Sequence, residues 1–194
     1  MTFSGRALCP VIMPVPEAQR ALKGRDKVHA LSRLARVALR RSCETSGLRL
    51  PALPKDDQGV PLPIDGVHWS VSHKSGVVGG VAAPLPVGID LETVRPVSEG
   101  LLSKVADEDE WGRAPGDRQR TFFRFWTAKE AVLKAVGAGI GGLSHCRIVD
   151  VVDDARMELI YDDMPWPVVH HWFGNHIAAL TPHHFEIVWT VAGL

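Results

Sequence analysis

The 194-residue chain has no net charge: 22 Lys and Arg balance 22 Asp and Glu when histidine is neutral. No global field then draws it to nucleic acid or to an anionic membrane, so an anionic ligand must be held by a local cluster. Cysteine is scarce as well. Cys9, Cys43 and Cys146 are far apart and form no Cys-x-x-Cys. That excludes a disulfide framework and a zinc knuckle, and it fits a reducing cytoplasm. There is no His-Glu-x-x-His to hold zinc, although nine histidines include His170-His171 and His183-His184. No stretch approaches the roughly 20 apolar residues of a membrane span. Met1 to Pro16 contains Pro10, Pro14 and Pro16 and no apolar run of signal-peptide length. The glycine-rich Gly137 to Gly142 follows a helix and lacks a Lys-Ser/Thr end, which disfavours a P-loop or dinucleotide loop and leaves a helix stop. A soluble cytoplasmic monomer that binds neither nucleic acid nor membrane is expected.

Apolar residues, 45% of the chain, suffice for a core. The segment to about Pro16 reads as extended. A helix is predicted from about Asp26 to Cys43, with Leu31, Leu34, Ala35, Ala38 and Leu39 on one face and Gly47 as its stop. Residues 51–63 form a proline-rich loop. His68 to Ser72, Val77 to Ala83 and Val87 to Leu91 read as strands. The second part restarts with a short helix that Ser98 would cap and the acidic stretch Asp107 to Glu110. A long helix from about Arg118 to Val136 follows. Strands are predicted at 148–152, 157–161, 168–172, 176–180 and 185–191. The class is α+β, organised as two halves, residues 1–95 and 96–194, each a helix followed by antiparallel strands.

Three places carry chemistry. In Val87 to Glu92, Asp90 and Glu92 are two apart, so on a strand they share a side while Ile89 and Leu91 face the core. Two carboxylates there repel unless a cation joins them; Mg²⁺ is one answer and plain solvation is another. On the long helix, Phe122, Phe125, Trp126, Leu133 and Val136 form one stripe, and Lys129 falls in its middle. An unpaired buried ammonium is costly, so Lys129 needs a partner or a polar cavity. Glu130 and Lys134 lie four apart at the stripe's edge; an ordinary surface pair explains those two, but not Lys129. Third, Ser72-His73-Lys74-Ser75-Gly76 sits in a tight turn. Backbone N–H groups, hydroxyls and two basic side chains meet there, which suits a phosphate.

The order of these pieces resembles the phosphopantetheinyl transferase superfamily, specifically its Sfp-type members. The match reads Trp69-Ser70-Val71-Ser72-His73, then Val87 to Glu92, then Trp126 to Lys134 with Gly137 to Gly141 behind it. It runs from about Asp57 to Val152. The resemblance implies a pseudo-dimeric fold of two similar α+β halves, with the active site at the seam between them. It implies a magnesium enzyme that transfers the phosphopantetheine moiety of coenzyme A to a serine of an apo acyl or peptidyl carrier protein, releasing 3′,5′-ADP. Asp90, Glu92 and Glu130 would hold Mg²⁺ with the coenzyme A pyrophosphate. His73 and Lys134 would contact that pyrophosphate, with Ser72 and Lys74 nearby. Glu130 and Lys134 would be the catalytic pair, and Lys129 either a carboxylate's structural partner or a proton donor. Arg20, Lys23 and Arg25 are candidates for the 3′-phosphate.

Two departures stand out. Where the family usually has Gly-Lys/Arg-Pro, this chain has Gly59-Val60-Pro61, so one contact to coenzyme A is missing or is supplied by Lys55. The Ser-His turn continues with Lys74, at a position where the family varies. The alternative reading is a catalytically silent relative that binds coenzyme A or a carrier protein.

Overall fold

The computed structural model describes residues 7–193; the first residues of the segment expected to be extended lie outside them. Strands β1 (Ala7–Leu8) and β2 (Val11–Pro14) lead into the short helix α1 (Glu17–Arg20) and the long α2 (Gly24–Ser46). After a loop come β3 (His68–His73), β4 (Val77–Ala83) and β5 (Ile89–Thr93). Helices α3 (Glu99–Val105), α4 (Glu108–Gly112) and α5 (Arg118–Val136) follow. A 3-10 helix, Ile140–His145, then opens onto β6 (Cys146–Asp150), β7 (Arg156–Tyr161), β8 (Met164–Phe173) and β9 (His176–Leu180). The short β10 (Glu186–Ile187) and β11 (Thr190–Val191) end the described chain. The fold is mixed α+β. Among the described residues no helix is long and apolar enough to cross a membrane.

The helix ends follow local chemistry. Gly47 stops α2 and Gly137 stops α5, both in the left-handed region that glycine enters without strain. Asp117 starts α5 by accepting hydrogen bonds from the Gln119 and Arg120 N–H groups. Helix α5 is more deeply buried than its apolar stripe suggests. Thr121 to Phe125 and Ala131 to Leu133 are buried along with Thr127, Ala128 and Lys129. The five-stranded sheet, with β5 and β9 foremost, covers one side of it, and α3 and the 3-10 helix pack against it elsewhere.

The sheets do not divide where the sequence suggests. Of the two larger sheets one has the order β11-β2-β4-β3 and the other β5-β9-β8-β7-β6, and β1 pairs with β10 in a separate two-stranded sheet. Strand β5, read as the third strand of the first half, is hydrogen-bonded antiparallel to β9 instead, with Asp90 opposite Ala179. In return the C-terminal β10 and β11 run parallel to β1 and β2. The run 185–191 is therefore not one strand. Its break faces Cys9-Pro10, and Pro10 has no N–H to offer the ladder. Strand β8 is longer than its apolar core predicts. Pro165 and Pro167 are tolerated because that stretch pairs with β7 alone, while β9 joins only from Val169 onward.

Each sheet meets its helix at a glycine. A Cβ at Gly80 would stand 2.6 Å from the Leu39 amide nitrogen of α2. At Gly88, just before β5, it would stand 1.8 Å from the Ala131 carbonyl oxygen of α5. Gly88 also exchanges hydrogen bonds with Thr181, donating to its hydroxyl at 2.9 Å and accepting from its N–H at 3.1 Å. Gly88→Ala must therefore push β5 off α5 and should cost at least about 2 kcal/mol in urea unfolding. Gly100→Ala, where a Cβ meets nothing within 4 Å, should be neutral or slightly stabilising.

His170 of β8 is buried against α5, where its Nε2 lies 3.0 Å from the Arg124 carbonyl oxygen and its Nδ1 has no partner. Burial pulls its pKa down to about 4, against the opposing pull of the Arg124 carbonyl. The unfolded chain thus binds this proton more readily than the folded one. Stability supplied by neutral His170 is complete above the unfolded value of about 6.5 and is lost as pH falls toward 4, by roughly 3 kcal/mol in total. Chemical denaturation between pH 7 and 4 should show this slope, and His170→Asn should flatten it.

Candidate functional site

The two sheets touch where β3 of one lies beside β5 of the other, and side chains make the connection. Ser70 Oγ accepts from the Ile89 N–H and Ser72 Oγ from the Leu91 N–H, both at 3.1 Å. The alternation of β3 puts these two hydroxyls on one side of the strand. Ser72 then donates its own proton to Asp90 Oδ1 at 2.9 Å.

Asp90 and Glu92 share one side of β5, as their spacing predicts, while Ile89 and Leu91 are fully buried. Asp90 is 4% exposed. Its Oδ1 also accepts from Lys134 Nζ at 2.6 Å, and the same ammonium donates to the Ile89 carbonyl at 3.1 Å. Its Oδ2 is buried with no partner. Glu92 Oε1 accepts from the Trp126 indole N–H at 3.1 Å and pairs with Lys74 Nζ at 2.6 Å. Trp126 thus keeps its place on the apolar stripe and turns a polar edge to the site.

Glu130 projects from α5 toward the same place. Burial raises its carboxyl pKa first, and the Asp90 charge raises it further, while Lys134 and Lys74 act in the opposite sense. The helical neighbour Lys134 therefore serves Asp90 by direct contact and Glu130 only through its field. His73 ends β3, and its pKa is lowered by burial first and then by the charges of Lys134, Lys74 and Lys55. Ser72, His73, Lys74, Asp90, Glu92, Glu130 and Lys134 are thus brought to one junction. Lys55 joins them from the proline-rich loop, its ammonium 5.8 Å from the centre of the Trp69 ring.

The N-terminal candidates separate. Arg20 donates to the Val15 carbonyl and places its charge beside His176, whose Nδ1 is 3.0 Å from the Thr93 hydroxyl at the end of β5. Lys23 and Arg25 are exposed at the start of α2, and no described contact ties them to the junction. As the chain stands, no three His, Cys, Asp or Glu among the described residues group closely enough to hold a metal ion. Lysines pair with two of the three expected carboxylate ligands.

Lys129 belongs elsewhere. Its ammonium is 2.6 Å from Glu110 Oε1, and both side chains are nearly inaccessible. Glu110 Oε1 also accepts from the Ile148 N–H at 2.8 Å, and Oε2 from the Asp107 N–H at 3.0 Å. One carboxylate therefore ties α4 to β6 and α5, and Lys129 is its structural partner. Glu110 was visible in the sequence only as part of an acidic stretch; its signal is the Asp-x-x-Glu spacing of a capping box, which the structure contains. The pair lies beside a cavity of about 480 Å³ also lined by Lys104, Ile140, Leu143 and Arg147, apart from Asp90, Glu92, Glu130 and Lys134.

Acidic and basic side chains facing one another across a sheet junction suit a ligand that brings a polyanion and a cation together. The family model described as the 4′-phosphopantetheinyl transferase superfamily matches residues 86–187, and the chain belongs to that superfamily. The matched span contains Asp90, Glu92, Glu130 and Lys134, whereas the Ser72-His73-Lys74 turn precedes it. The chain is 36% identical over 86 residues to 4′-phosphopantetheinyl transferase psf-1 of Bacillus pumilus, covering 42% of this chain and 37% of that protein. It is 29% identical over 90 residues to 4′-phosphopantetheinyl transferase gsp of Aneurinibacillus migulanus, with 44% and 38% covered. It is 39% identical over 90 residues to 4′-phosphopantetheinyl transferase HetI of Nostoc sp., with 43% and 38% covered. The similarity thus spans less than half the length of each of these relatives.

Removing one partner of the buried Glu110–Lys129 pair strands a charge. Lys129→Met and Glu110→Gln should each cost about 3–5 kcal/mol in denaturant unfolding. The double variant should recover part of that loss, so a double-mutant cycle measures the coupling.

Proposed function

We propose that this chain transfers the phosphopantetheine moiety of coenzyme A to a serine hydroxyl of an apo acyl or peptidyl carrier protein, with 3′,5′-ADP as the leaving product. In this reading the site lies at the seam between two similar α+β halves, and Asp90, Glu92 and Glu130 are the ligands of Mg²⁺. The observation that carries it is Asp90. Its carboxylate is buried, one oxygen is satisfied by Ser72 and Lys134, and the other has no partner. Buried polar atoms rarely lack partners, so an orphaned oxygen beside a second carboxylate is open to a hard cation. The all-oxygen donor set fits Mg²⁺. When bound, the ion supplies positive charge to offset the pyrophosphate.

The chain's own residues supply the rest. Lys134 and His73 hold the pyrophosphate, with Ser72 positioning Asp90 beside them. Lys55 takes the place of the absent Gly-Lys/Arg-Pro side chain, because its charge reaches His73. Val60 itself packs against the α5 stop: a Cβ at Gly137 would be 2.9 Å from its Cγ1. Arg20 is the best placed of the N-terminal cations for the 3′-phosphate. Glu130 takes the proton of the carrier serine hydroxyl, a task helped by the higher carboxyl pKa that burial and the Asp90 charge give it. The serine oxygen then bonds to the β-phosphorus of coenzyme A, and the bond from that phosphorus to the bridging oxygen breaks, leaving 3′,5′-ADP. Such a transfer needs alignment and charge neutralisation more than covalent help. A cytoplasmic setting accords with three cysteines that are all free and buried.

Mass spectrometry of apo carrier proteins of several classes, incubated with the protein, coenzyme A and Mg²⁺, tests this directly. A phosphopantetheine mass should appear on at least one carrier, and Asp90→Asn should slow its appearance about a hundredfold or more. No mass gain on any carrier would leave the silent, binding-only relative as the reading.

A further inference from the structure

Lys74 opens the turn between β3 and β4. Its N–H donates to the Val77 carbonyl at 2.8 Å, and its carbonyl accepts from the Val77 N–H at 3.3 Å, so its backbone is fixed. Its side chain is not confined in the same way and remains 37% exposed. From this fixed base the ammonium reaches Glu92 Oε1 at 2.6 Å, a carboxylate whose side chain is only 11% exposed. The ammonium also lies near two other groups: its charge is felt by Glu130 and by His73. Lys74 therefore pairs with one carboxylate while its charge reaches Glu130 and the His73 ring.

We propose that Lys74 is a placeholder cation: it neutralises Glu92 while the site is empty, must leave Glu92 when a divalent ion enters, and then turns to the incoming pyrophosphate. This rests on the reading of Asp90, Glu92 and Glu130 as metal ligands. The argument is one of charge and space. Three half-buried or buried carboxylates repel one another. In the structure that repulsion is offset by two ammonium groups, Lys134 on Asp90 and Lys74 on Glu92. Lys134 has further anchors, since it also donates to the Ile89 carbonyl and lies on α5. Among the described residues the Lys74 ammonium pairs with Glu92 alone, and it is the more exposed of the two. A divalent ion can enter at the unpartnered Asp90 Oδ2 without moving Lys134, but at Glu92 it competes with the Lys74 ammonium, which is held less firmly. Released, it gains a new partner only when a phosphate arrives. Metal and coenzyme A then favour each other's binding, and by linkage the effect is equal in both directions.

The test uses the full chain, with Mn²⁺ as a spectroscopic probe titrated by electron paramagnetic resonance, with and without coenzyme A. Without coenzyme A, Lys74→Met should bind Mn²⁺ about fivefold more tightly than wild type, the factor expected on losing a competing partly exposed pair. Lys74→Arg keeps the pair and should bind like wild type. With Mn²⁺ saturating, Lys74→Met should bind coenzyme A more weakly than wild type. Equal Mn²⁺ affinity in wild type and Lys74→Met overturns the placeholder but leaves the metal reading intact. No Mn²⁺ binding by any of the proteins, with or without coenzyme A, overturns both. A measurement on wild type alone covers the case in which Lys74→Met does not fold. The Lys74 ammonium resonance of ¹⁵N-lysine-labelled protein should show a slowed, protected signal in the metal-free state and lose it on adding Mg²⁺. A signal unchanged by saturating Mg²⁺ also overturns the proposal.

Discussion

The hydroxyl of Ser72 is the joint on which the arrangement turns. It accepts from the backbone of β5 and donates to Asp90, so one group fixes both the strand and the carboxylate beside it. The β5 edge facing β3 is not continued by a regular ladder; Ser70 and Ser72 satisfy its N–H groups with side-chain oxygens. A backbone ladder would have fused the two sheets into one. A serine stitch instead leaves them as separate sheets with a polar line between them, and that line is where the acidic and basic side chains collect. Burial makes each of these contacts matter, because an unpaired polar group there is costly.

Helix α5 serves two separate polar networks. Lys129 enters a buried one with Glu110, which anchors α4 and β6. Glu130 and Lys134, one residue and five residues further on, turn toward β5 and stay partly accessible. The first network holds the helix in place and the second uses it. Because Gly88 lets the helix backbone approach the start of β5 so closely, small shifts in α5 would be felt at Asp90.

Much of the site was legible in the sequence because its signals are local. The two-residue spacing of Asp90 and Glu92, the bounds of α5 and the glycine that ends it all depend on residues a few positions apart. What was not legible depends on partners far along the chain. The apolar run at 87–91 reads the same whichever sheet it joins, and its pairing with β9 is set by residues some 90 positions later. The stripe on α5 shows that Lys129 needs a partner but cannot say that the partner is Glu110. The pairing of Lys134 with Asp90 rather than Glu130 has the same cause: helical spacing favours the near carboxylate, and the fold offers a more deeply buried one. The single alternating run at 185–191 misled because the break is imposed by Pro10 in the opposite strands, not by anything within the run.

In the proposed function, Asp90, held by Ser72 at the junction, joins a divalent ion and a polyanion to this chain. Calorimetric titration of coenzyme A into wild type and Asp90→Ala, each with and without Mg²⁺, tests it most directly. Wild type should bind coenzyme A more tightly when Mg²⁺ is present, and Asp90→Ala should lose that gain while remaining folded. Binding of Mg²⁺ and coenzyme A by Asp90→Ala as tight as by wild type would contradict it.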